Sequence, residues 1–305
     1  MIIQNIKRRL RSFTSWVQIF VWIFTNRVKN LTNAADIKYF IEFITHMKKP
    51  GYKQSISLER YIGELILKIW PVVSPLPLSR YGPEFDSGYF VAELENVDIL
   101  ISGGAGKNID FELTYANLGT SVHLFDPYVS TLPMNHPNIC HHAIKLQDPG
   151  IKKNSNTLNI QGINLMCSID ESKVNMLKLD IEGSEISLLG SENLNLSAYD
   201  QIVLEVHNNF MLTSDSHKQK FNTLIENVLN YHYVITFNAN NNGLLLNFGK
   251  YFLPEVFEIT LLNRKYFISN KVEKLGSEDL SNQTTNNTNR LALPSIFHLF
   301  DAINK

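Results

Sequence analysis

From Asp98 onward, short apolar runs alternate with segments of helical spacing. The apolar runs predict seven strands, at residues 98–102, 121–125, 139–143, 174–179, 202–206, 234–237 and 257–261. The longer gaps predict helices, at residues 109–118, 184–189 and 217–229. Because this alternation is typical of βαβ units, the pattern predicts an α/β fold with a seven-stranded, mostly parallel sheet and helices on both faces. Too little chain separates the last two strands for a crossover helix, which favours an antiparallel terminal hairpin.

The first sixty residues follow a different pattern, in which a basic flank precedes the uncharged run 12–26. At helical rise this run covers about 22 Å, which is short of the ~30 Å hydrocarbon core of a bilayer. Its apolar residues fall on one helical face, namely Phe13, Trp16, Val17, Phe20 and Phe24. Two alternatives follow. Residues 7–24 form either a helix lying on an anionic membrane surface or a helix packed against protein.

The pattern therefore divides the chain into three parts. Residues 1–60 form an N-terminal basic and aromatic helical extension, and residues 61–270 form the α/β domain. Residues 271–305 are predicted to be a flexible linker and a short C-terminal helix, because residues 276–290 are rich in Ser, Asn and Thr and residues 293–303 are apolar.

Composition narrows the function and the compartment. The 305 residues include 28 basic and 29 acidic ones, so no global positive field would attract nucleic acid. The two cysteines, Cys140 and Cys167, form neither a disulfide framework nor a four-ligand zinc site. A cytoplasmic compartment is the expectation. The oligomeric state is not predicted.

A glycine-rich loop follows the first predicted strand and precedes a helix. It contains Gly103, Gly104 and Gly106, which allow a sharp turn and close approach to a ligand. The second strand ends at Asp126, at the distance along the chain where an acidic residue accepts hydrogen bonds from ribose hydroxyls. Loop and acid together predict a cofactor that contains adenosine.

The loop favours S-adenosylmethionine over a dinucleotide. Ile109 occupies the position where a dinucleotide site has its third glycine, and Asp110 and Glu112 lie in the first turn of the helix. Acidic side chains are unfavourable beside a pyrophosphate but suit a cofactor that carries a sulfonium cation and no phosphate.

Polar residues follow the fourth and fifth strands. Asp180, Glu182 and His207 lie where ligands bind in open α/β sheets, so they are the candidate catalytic residues. A histidine or carboxylate there can accept the proton of an alcohol. Lys178 and Glu205 are expected to pair across neighbouring strands. No metal site is predicted, because His136, His141 and His142 do not share a face at ligand spacing.

Four segments in the same order resemble the FkbM family of methyltransferases. They are residues 80–89, with Asp86 and Gly88; residues 102–112, with the glycine loop; residues 122–127; and residues 175–185 followed by 202–207. The resemblance covers about residues 80–264. It implies a Rossmann-like methyltransferase that binds S-adenosylmethionine, with Asp86 and Gly88 among the cofactor-binding residues.

The resemblance further implies O-methylation of a hydroxyl on a sugar, glycan or other small molecule. Two positions depart from the family pattern: Ser87 replaces a preferred glycine, and Asn108 replaces a common acid. The alternatives are therefore a catalytically degenerate Rossmann-like binding protein and, less favoured by the loop, an NAD(P)-dependent reductase.

Overall fold

The computed structural model describes residues 56–84, 87–106, 108–148, 156–240, 245–249, 251–268 and 272–276. The predictions for the N-terminal extension before residue 56, for Asp86 and for the C-terminal helix lie outside these residues. Among the described residues, no helix combines the length and apolarity needed to cross a membrane.

The described residues form helices and strands in mixed order. The α-helices are α1 (Ile56–Lys68), α2 (Asp110–Asn117), α3 (Ile160–Met166), α4 (Ser184–Leu189) and α5 (Asp215–Tyr231). The strands are β1 (Leu78–Tyr81), β2 (Tyr89–Ala92), β3 (Ile99–Gly103), β4 (Ser121–Phe125), β5 (Ile139–His142), β6 (Lys145–Leu146), β7 (Thr157–Leu158), β8 (Asn175–Leu179), β9 (Gln201–Val206), β10 (His232–Ala239), β11 (Leu245–Phe248), β12 (Tyr251–Pro254) and β13 (Phe257–Asn263). Short 3-10 helices follow β9 and β13, at Asn209–Thr213 and Arg264–Tyr266.

Seven strands form the central sheet, in the order β10-β13-β9-β8-β3-β4-β5. The five strands from β9 to β5 are parallel, whereas β13 is antiparallel to β9. In chain order, β4 and β5 are added on one side of β3, and β8 and β9 are then added on its other side. The strand order therefore reverses between β3 and β8, and this reversal defines a topological switch point.

The structure confirms the predicted mostly parallel seven-stranded sheet, and the seven strands and three helices predicted between residues 98 and 261 all form, with ends within two residues of the predicted ends. The last two strands of the sheet are neighbours at one edge, as the predicted terminal hairpin requires, and β13 lies between β9 and β10. β13 is buried along its whole length, as expected for a strand with neighbours on both sides.

Helix α2 covers one face of the sheet near β3. Its buried side chains Phe111, Tyr115 and Ala116 share a core cluster with Leu100 of β3 and with strand residues Val122, Met176 and Val203. Tyr89 and Val91 of β2 belong to the same cluster. This packing fixes β2 and the start of α2 beside the carboxyl ends of β3, β8 and β9.

The described residues fall into two compact units. One consists of Pro71–Phe237 and Phe257–Lys274 and contains all the candidate site residues that the structure describes. The other consists of the described parts of Met1–Trp70, Asn238–Val256 and Leu275–Lys305. In this second unit α1 packs on the antiparallel β11–β12 hairpin, where a Cβ atom on Gly63 would come 2.5 Å from the Tyr251 ring.

Candidate functional site

The candidate site lies at the carboxyl ends of β3, β8 and β9, next to the switch point. Side chains alternate between faces along a strand, so Lys178 and Asp180 share a face, as do Glu205 and His207. The register places Lys178 opposite Val203, which puts both pairs on the same face of the sheet. Polar side chains from two neighbouring strands therefore converge where an open α/β sheet binds its ligands.

The glycine loop begins where β3 ends. Gly104 has φ +78°, and a Cβ atom there would come 1.8 Å from the backbone oxygen of Asp180, so only glycine fits between β3 and the residue after β8. Gly106 has φ +55°, and a Cβ atom there would meet nothing within 4 Å. Gly103 and Gly104 are thus packing positions, whereas Gly106 faces open space.

Asp126 holds the glycine loop through its carboxylate. Oδ2 accepts hydrogen bonds from Ala105 N (3.1 Å) and Gly106 N (3.2 Å), and Oδ1 accepts from Tyr128 N (2.8 Å) and Val129 N (3.3 Å). Burial alone would raise the pKa of Asp126, but these four backbone N–H groups lower it. Since a carboxylate offers about four acceptor positions, the backbone occupies this one fully.

Lys178 is buried on the side of the site that faces α2. Its Nζ donates to the Gly104 backbone oxygen (2.6 Å) and lies 3.7 Å from Glu112 Oε1 and 3.9 Å from Asp180 Oδ2. Glu112 also accepts a hydrogen bond from Ser102 Oγ at 2.5 Å. The expected pairing of Lys178 with Glu205 is therefore wrong. The β8–β9 register sets Lys178 opposite Val203, two residues before Glu205.

His207 brings together the acids that follow β8. Its Nε2 lies 3.5 Å from Glu182 Oε2 and 3.9 Å from Asp180 Oδ1, so the three predicted catalytic residues meet. Nε2 also lies 3.7 Å from Glu205 Oε1. Glu182 is exposed, whereas Glu205 and His207 are buried.

Glu185 contacts the other side of the imidazole ring. Glu185 lies in the first turn of α4, where an acid is favourable to the helix. It is also fully buried, and its Oε1 lies 3.2 Å from His207 Nδ1. Burial alone would lower the pKa of His207, but Glu185, then Glu205 and Asp180, raise it to about 9. Without a bound ligand, the His207 imidazole is therefore mainly protonated at neutral pH.

Tyr89 of β2 is a site residue that sequence analysis missed. Its hydroxyl donates to Asp180 Oδ2 at 2.9 Å and lies 3.5 Å from Glu205 Oε2. Burial, followed by the charges of Asp180 and Glu205, raises the pKa of Tyr89, so the hydroxyl keeps its proton. Tyr89 was visible only as the last residue of an upstream motif, and no local signal connects β2 with the ends of β8 and β9.

The turns after β8 and β9 have unusual backbone conformations. Glu182, Gly183 and Asn208 have φ values of 55°, 94° and 62°. A Cβ atom on Gly183 would come 2.1 Å from Asn208 Nδ2, so glycine is required where the two turns touch. Left-handed backbone at non-glycine residues costs energy and is concentrated at functional sites.

The two departures from the family pattern have structural explanations. Ser87 adopts φ 66°, a conformation that glycine adopts without strain. Asn108 accepts a hydrogen bond from Asp110 N at 2.8 Å through Oδ1, at the start of α2. Gly88 is buried in the turn between β1 and β2, where a Cβ atom would come 2.1 Å from the Pro83 oxygen. Its contact with a cofactor stays a prediction, as does that of Asp86.

A second group of polar side chains lies on β4 and β5. His123, Cys140 and His142 bring their possible ligand atoms within 4.8 Å of one another. His123 Nδ1 lies 3.2 Å from His142 Nε2, and burial lowers the pKa of both rings. His123 was not predicted as a ligand because it lies in a different segment from His136, His141 and His142, and only the β4–β5 register sets it opposite Cys140.

Comparison with known proteins adds no family to this geometry. No protein-family model matches the chain, and no curated protein matches it.

Proposed function

We propose that this chain is an S-adenosylmethionine-dependent methyltransferase of the FkbM family, which transfers a methyl group to a hydroxyl of a sugar, glycan or other small molecule. One observation carries the proposal. Asp180, Glu182 and Glu185, the acids of the motif after β8, surround His207 after β9, beside the glycine loop. This is the position at which open α/β sheets bind their ligands.

The strand order supports a Rossmann-like fold. From β5 through β4, β3 and β8 to β9, the strand order matches the dinucleotide-binding arrangement, in which the order reverses beside the first strand. The antiparallel β13 is an addition between β9 and β10. The glycine loop and the motif after β8 then lie on the two strands that flank the switch point.

The charges of the site support S-adenosylmethionine over NAD(P). Asp180, Glu182 and Glu205 face the site, whereas the buried Lys178 is already bonded to the Gly104 oxygen and paired with Glu112. A pyrophosphate would be repelled by these carboxylates, whereas a sulfonium cation would be attracted. Gly103, Gly104 and Gly106 would hold the cofactor with Asp126, and the open space at Gly106 would accommodate part of it.

The backbone hydrogen bonds of Asp126 limit how it could bind a ribose. Its acceptor positions are filled by backbone N–H groups, so a ribose hydroxyl can bond only if Ala105 N and Gly106 N turn away. These two bonds join the carboxylate to the glycine loop itself. The same observation favours the alternative, a degenerate binding protein, if the loop keeps this conformation.

The chemistry proposed is one displacement. S-adenosylmethionine supplies a methyl group on a sulfonium sulfur. The acceptor oxygen attacks the methyl carbon, a C–O bond forms as the C–S bond breaks, and the hydroxyl proton passes to Asp180, to Glu182 or to the neutral form of His207. The chain contributes by orienting the acceptor and by placing these groups near its proton. The carboxylates also stabilise positive charge at the sulfonium.

Methyl transfer can be tested by the release of S-adenosylhomocysteine with a panel of free sugars, lipid-linked saccharides and small hydroxylated molecules. We expect release with at least one acceptor, and loss of release in Asp180→Asn. Glu226→Gln, the corresponding change on the exposed face of α5, should keep the wild-type rate. Cofactor binding without release for any acceptor would support the binding-protein alternative.

We further propose cytoplasmic location with peripheral attachment at the inner membrane face through residues 7–24. The basic flank and the apolar stripe of that segment support it. Deleting residues 1–30 should abolish co-sedimentation with anionic vesicles, and salt should weaken it in the full chain. Co-sedimentation that survives the deletion would leave packing against protein as the explanation.

A further inference from the structure

The two ring nitrogens of His207 have different surroundings. Nδ1 lies 3.2 Å from Glu185 Oε1, and Glu185 is itself fixed by hydrogen bonds from Gly183 N and His207 N, both at 2.8 Å. Nε2 makes no hydrogen bond with any residue in the described part of the chain, although only 10% of the side chain is exposed. An imidazole nitrogen that makes no hydrogen bond within the protein is available to bind a ligand.

Carboxylate oxygens surround Nε2 at distances too long for hydrogen bonds. The exposed Glu182 Oε2 lies 3.5 Å away, and the more buried Glu205 Oε1 and Asp180 Oδ1 lie 3.7 Å and 3.9 Å away, whereas N–H to O hydrogen bonds span about 2.7–3.2 Å. Two ligand atoms that share one metal ion, each about 2.0–2.2 Å from it, are separated by roughly 3–4 Å. The ligand atoms of Asp180, Glu205 and His207 all lie within 4.8 Å of one another.

Neighbouring side chains orient this group of ligands. Tyr89 OH bonds Asp180 Oδ2 and lies near Glu205 Oε2, which leaves Asp180 Oδ1 and Glu205 Oε1 directed toward His207. Glu185 contacts Nδ1 and leaves Nε2 directed toward the carboxylates. A carboxylate on the far nitrogen of a histidine is the usual way that proteins orient a histidine bound to a metal.

The charges on this face of the sheet also favour a bound cation. Among the described residues, acids outnumber bases: the carboxylates are Glu112, Asp180, Glu182, Glu185, Glu205 and Glu258, and the basic side chains are Lys178 and His207. Lys178 lies on the Glu112 side and Glu258 is the direct cross-strand neighbour of Glu205. Carboxylates that lie close together repel one another, so a bound cation would stabilise them.

We propose that Asp180, Glu205 and His207 bind one divalent metal ion, with Tyr89 and Glu185 as positioning residues. Two carboxylates and one imidazole suit Mn²⁺ or a similar first-row ion better than the all-oxygen set typical of Mg²⁺. The inference departs from the sequence-based expectation of no metal. If the proposed methyl transfer is right, on which this last step rests, the ion would draw electron density from the acceptor hydroxyl and ease loss of its proton.

Mn²⁺ binding tests the proposal without any assay of methyl transfer. The full chain, freed of metal with a chelator, is titrated with Mn²⁺ and the free ion is followed by electron paramagnetic resonance. We expect one ion per chain, and an affinity at least about 10- to 100-fold lower in Asp180→Asn, Glu205→Gln and Glu185→Gln. Bound Mn²⁺ should also raise the unfolding temperature of the wild type but not of Asp180→Asn.

Two control variants accompany the test variants. Glu226→Gln should bind Mn²⁺ as the wild type does, and Cys140→Ser tests the group on β4 and β5. Asp180 is more exposed than Glu205, so Asp180→Asn decides the matter if Glu205→Gln fails to fold. No binding by the wild type, or equal binding by Asp180→Asn, overturns the proposal, as does a loss confined to Cys140→Ser.

Calorimetry with S-adenosylmethionine in metal-free buffer separates this proposal from the proposed function. Cofactor binding without Mn²⁺ binding would remove the metal site and keep the methyltransferase. Mn²⁺ binding without cofactor binding would keep the metal site and remove the methyltransferase.

Discussion

Glu185, at the start of α4, contacts His207, which follows β9, twice through the same carboxylate oxygen. Glu185 Oε1 accepts a hydrogen bond from His207 N at 2.8 Å and lies 3.2 Å from His207 Nδ1. The other oxygen accepts from Gly183 N. A fully buried carboxylate at the start of α4 thus fixes both the backbone and the ring of the residue that follows β9.

Removing this carboxylate should destabilise the protein. Glu185→Ala leaves two backbone N–H groups without their acceptor and separates a buried charge pair, so we expect a loss of about 3–5 kcal/mol in the free energy of unfolding. Glu185→Gln keeps one acceptor oxygen and should cost about 1–2 kcal/mol. Urea denaturation measures both. The exposed control Glu226→Gln should stay within about 0.5 kcal/mol of the wild type, and equal values for all three variants would contradict the contact.

His207 is predicted to act at the acceptor and not at the cofactor. His207→Ala should lower the rate of methyl transfer roughly 100- to 10,000-fold and leave the affinity for S-adenosylmethionine nearly unchanged. The comparison is with Asp180→Asn and Glu182→Gln under the same conditions. A normal rate in His207→Ala with a lost rate in Asp180→Asn would make a carboxylate the proton acceptor. Normal rates in all three would leave proximity alone as the source of catalysis.

Asp126 should matter for both stability and cofactor binding. Asp126→Ala removes the acceptor of four backbone hydrogen bonds, so we expect a loss of about 2–4 kcal/mol in the free energy of unfolding. In the variant that remains folded, the affinity for S-adenosylmethionine should fall by about 1–3 kcal/mol, measured by calorimetry. Glu226→Gln, on the exposed face of α5, should change neither quantity. Unchanged affinity in folded Asp126→Ala would exclude a ribose contact.

His232 should make the protein less stable in mild acid. Burial lowers its pKa to about 4, although carbonyl oxygens of Tyr199 and Val228 lie against its two nitrogens. A depressed histidine pKa means that the unfolded chain takes up a proton first, so stability declines as pH falls below about 6.5. The contribution between pH 7 and pH 5 is about 2 kcal/mol.

The test is urea denaturation at several pH values. His232→Gln, which keeps a donor for a carbonyl oxygen but does not titrate, should lose less stability than the wild type between pH 7 and pH 5. His136→Gln, the same change on a less buried ring, should follow the wild type. Parallel pH curves for the wild type and His232→Gln would contradict the depressed pKa.

The strands of the sheet were predictable because local signals decide them. Apolar runs such as that of β8 are buried on both faces, and α4 begins after Gly183 and ends before Gly190. The position of β13 was not predictable in this way. Whether a strand lies at the edge or inside depends on packing that its own sequence does not encode.

The residues of the candidate site were also predictable only in part. Asp180, Glu182 and His207 could be found because each directly follows a strand. Tyr89 could not, since its contact with Asp180 joins residues 91 positions apart. Lys178 was assigned the wrong partner. Strand periodicity predicts which face of the sheet a side chain lies on, but the register between β8 and β9, which sets Glu205 two residues beyond the position opposite Lys178, is not readable from the sequence.

Isothermal titration calorimetry of the full chain measures whether it binds S-adenosylmethionine. S-adenosylmethionine, S-adenosylhomocysteine and NAD are titrated separately, with and without Mn²⁺. We expect saturable 1:1 binding of S-adenosylmethionine and S-adenosylhomocysteine, and no heat with NAD, because the carboxylates around His207 repel a pyrophosphate. Tight binding of NAD, with no response to the other two, would contradict the account.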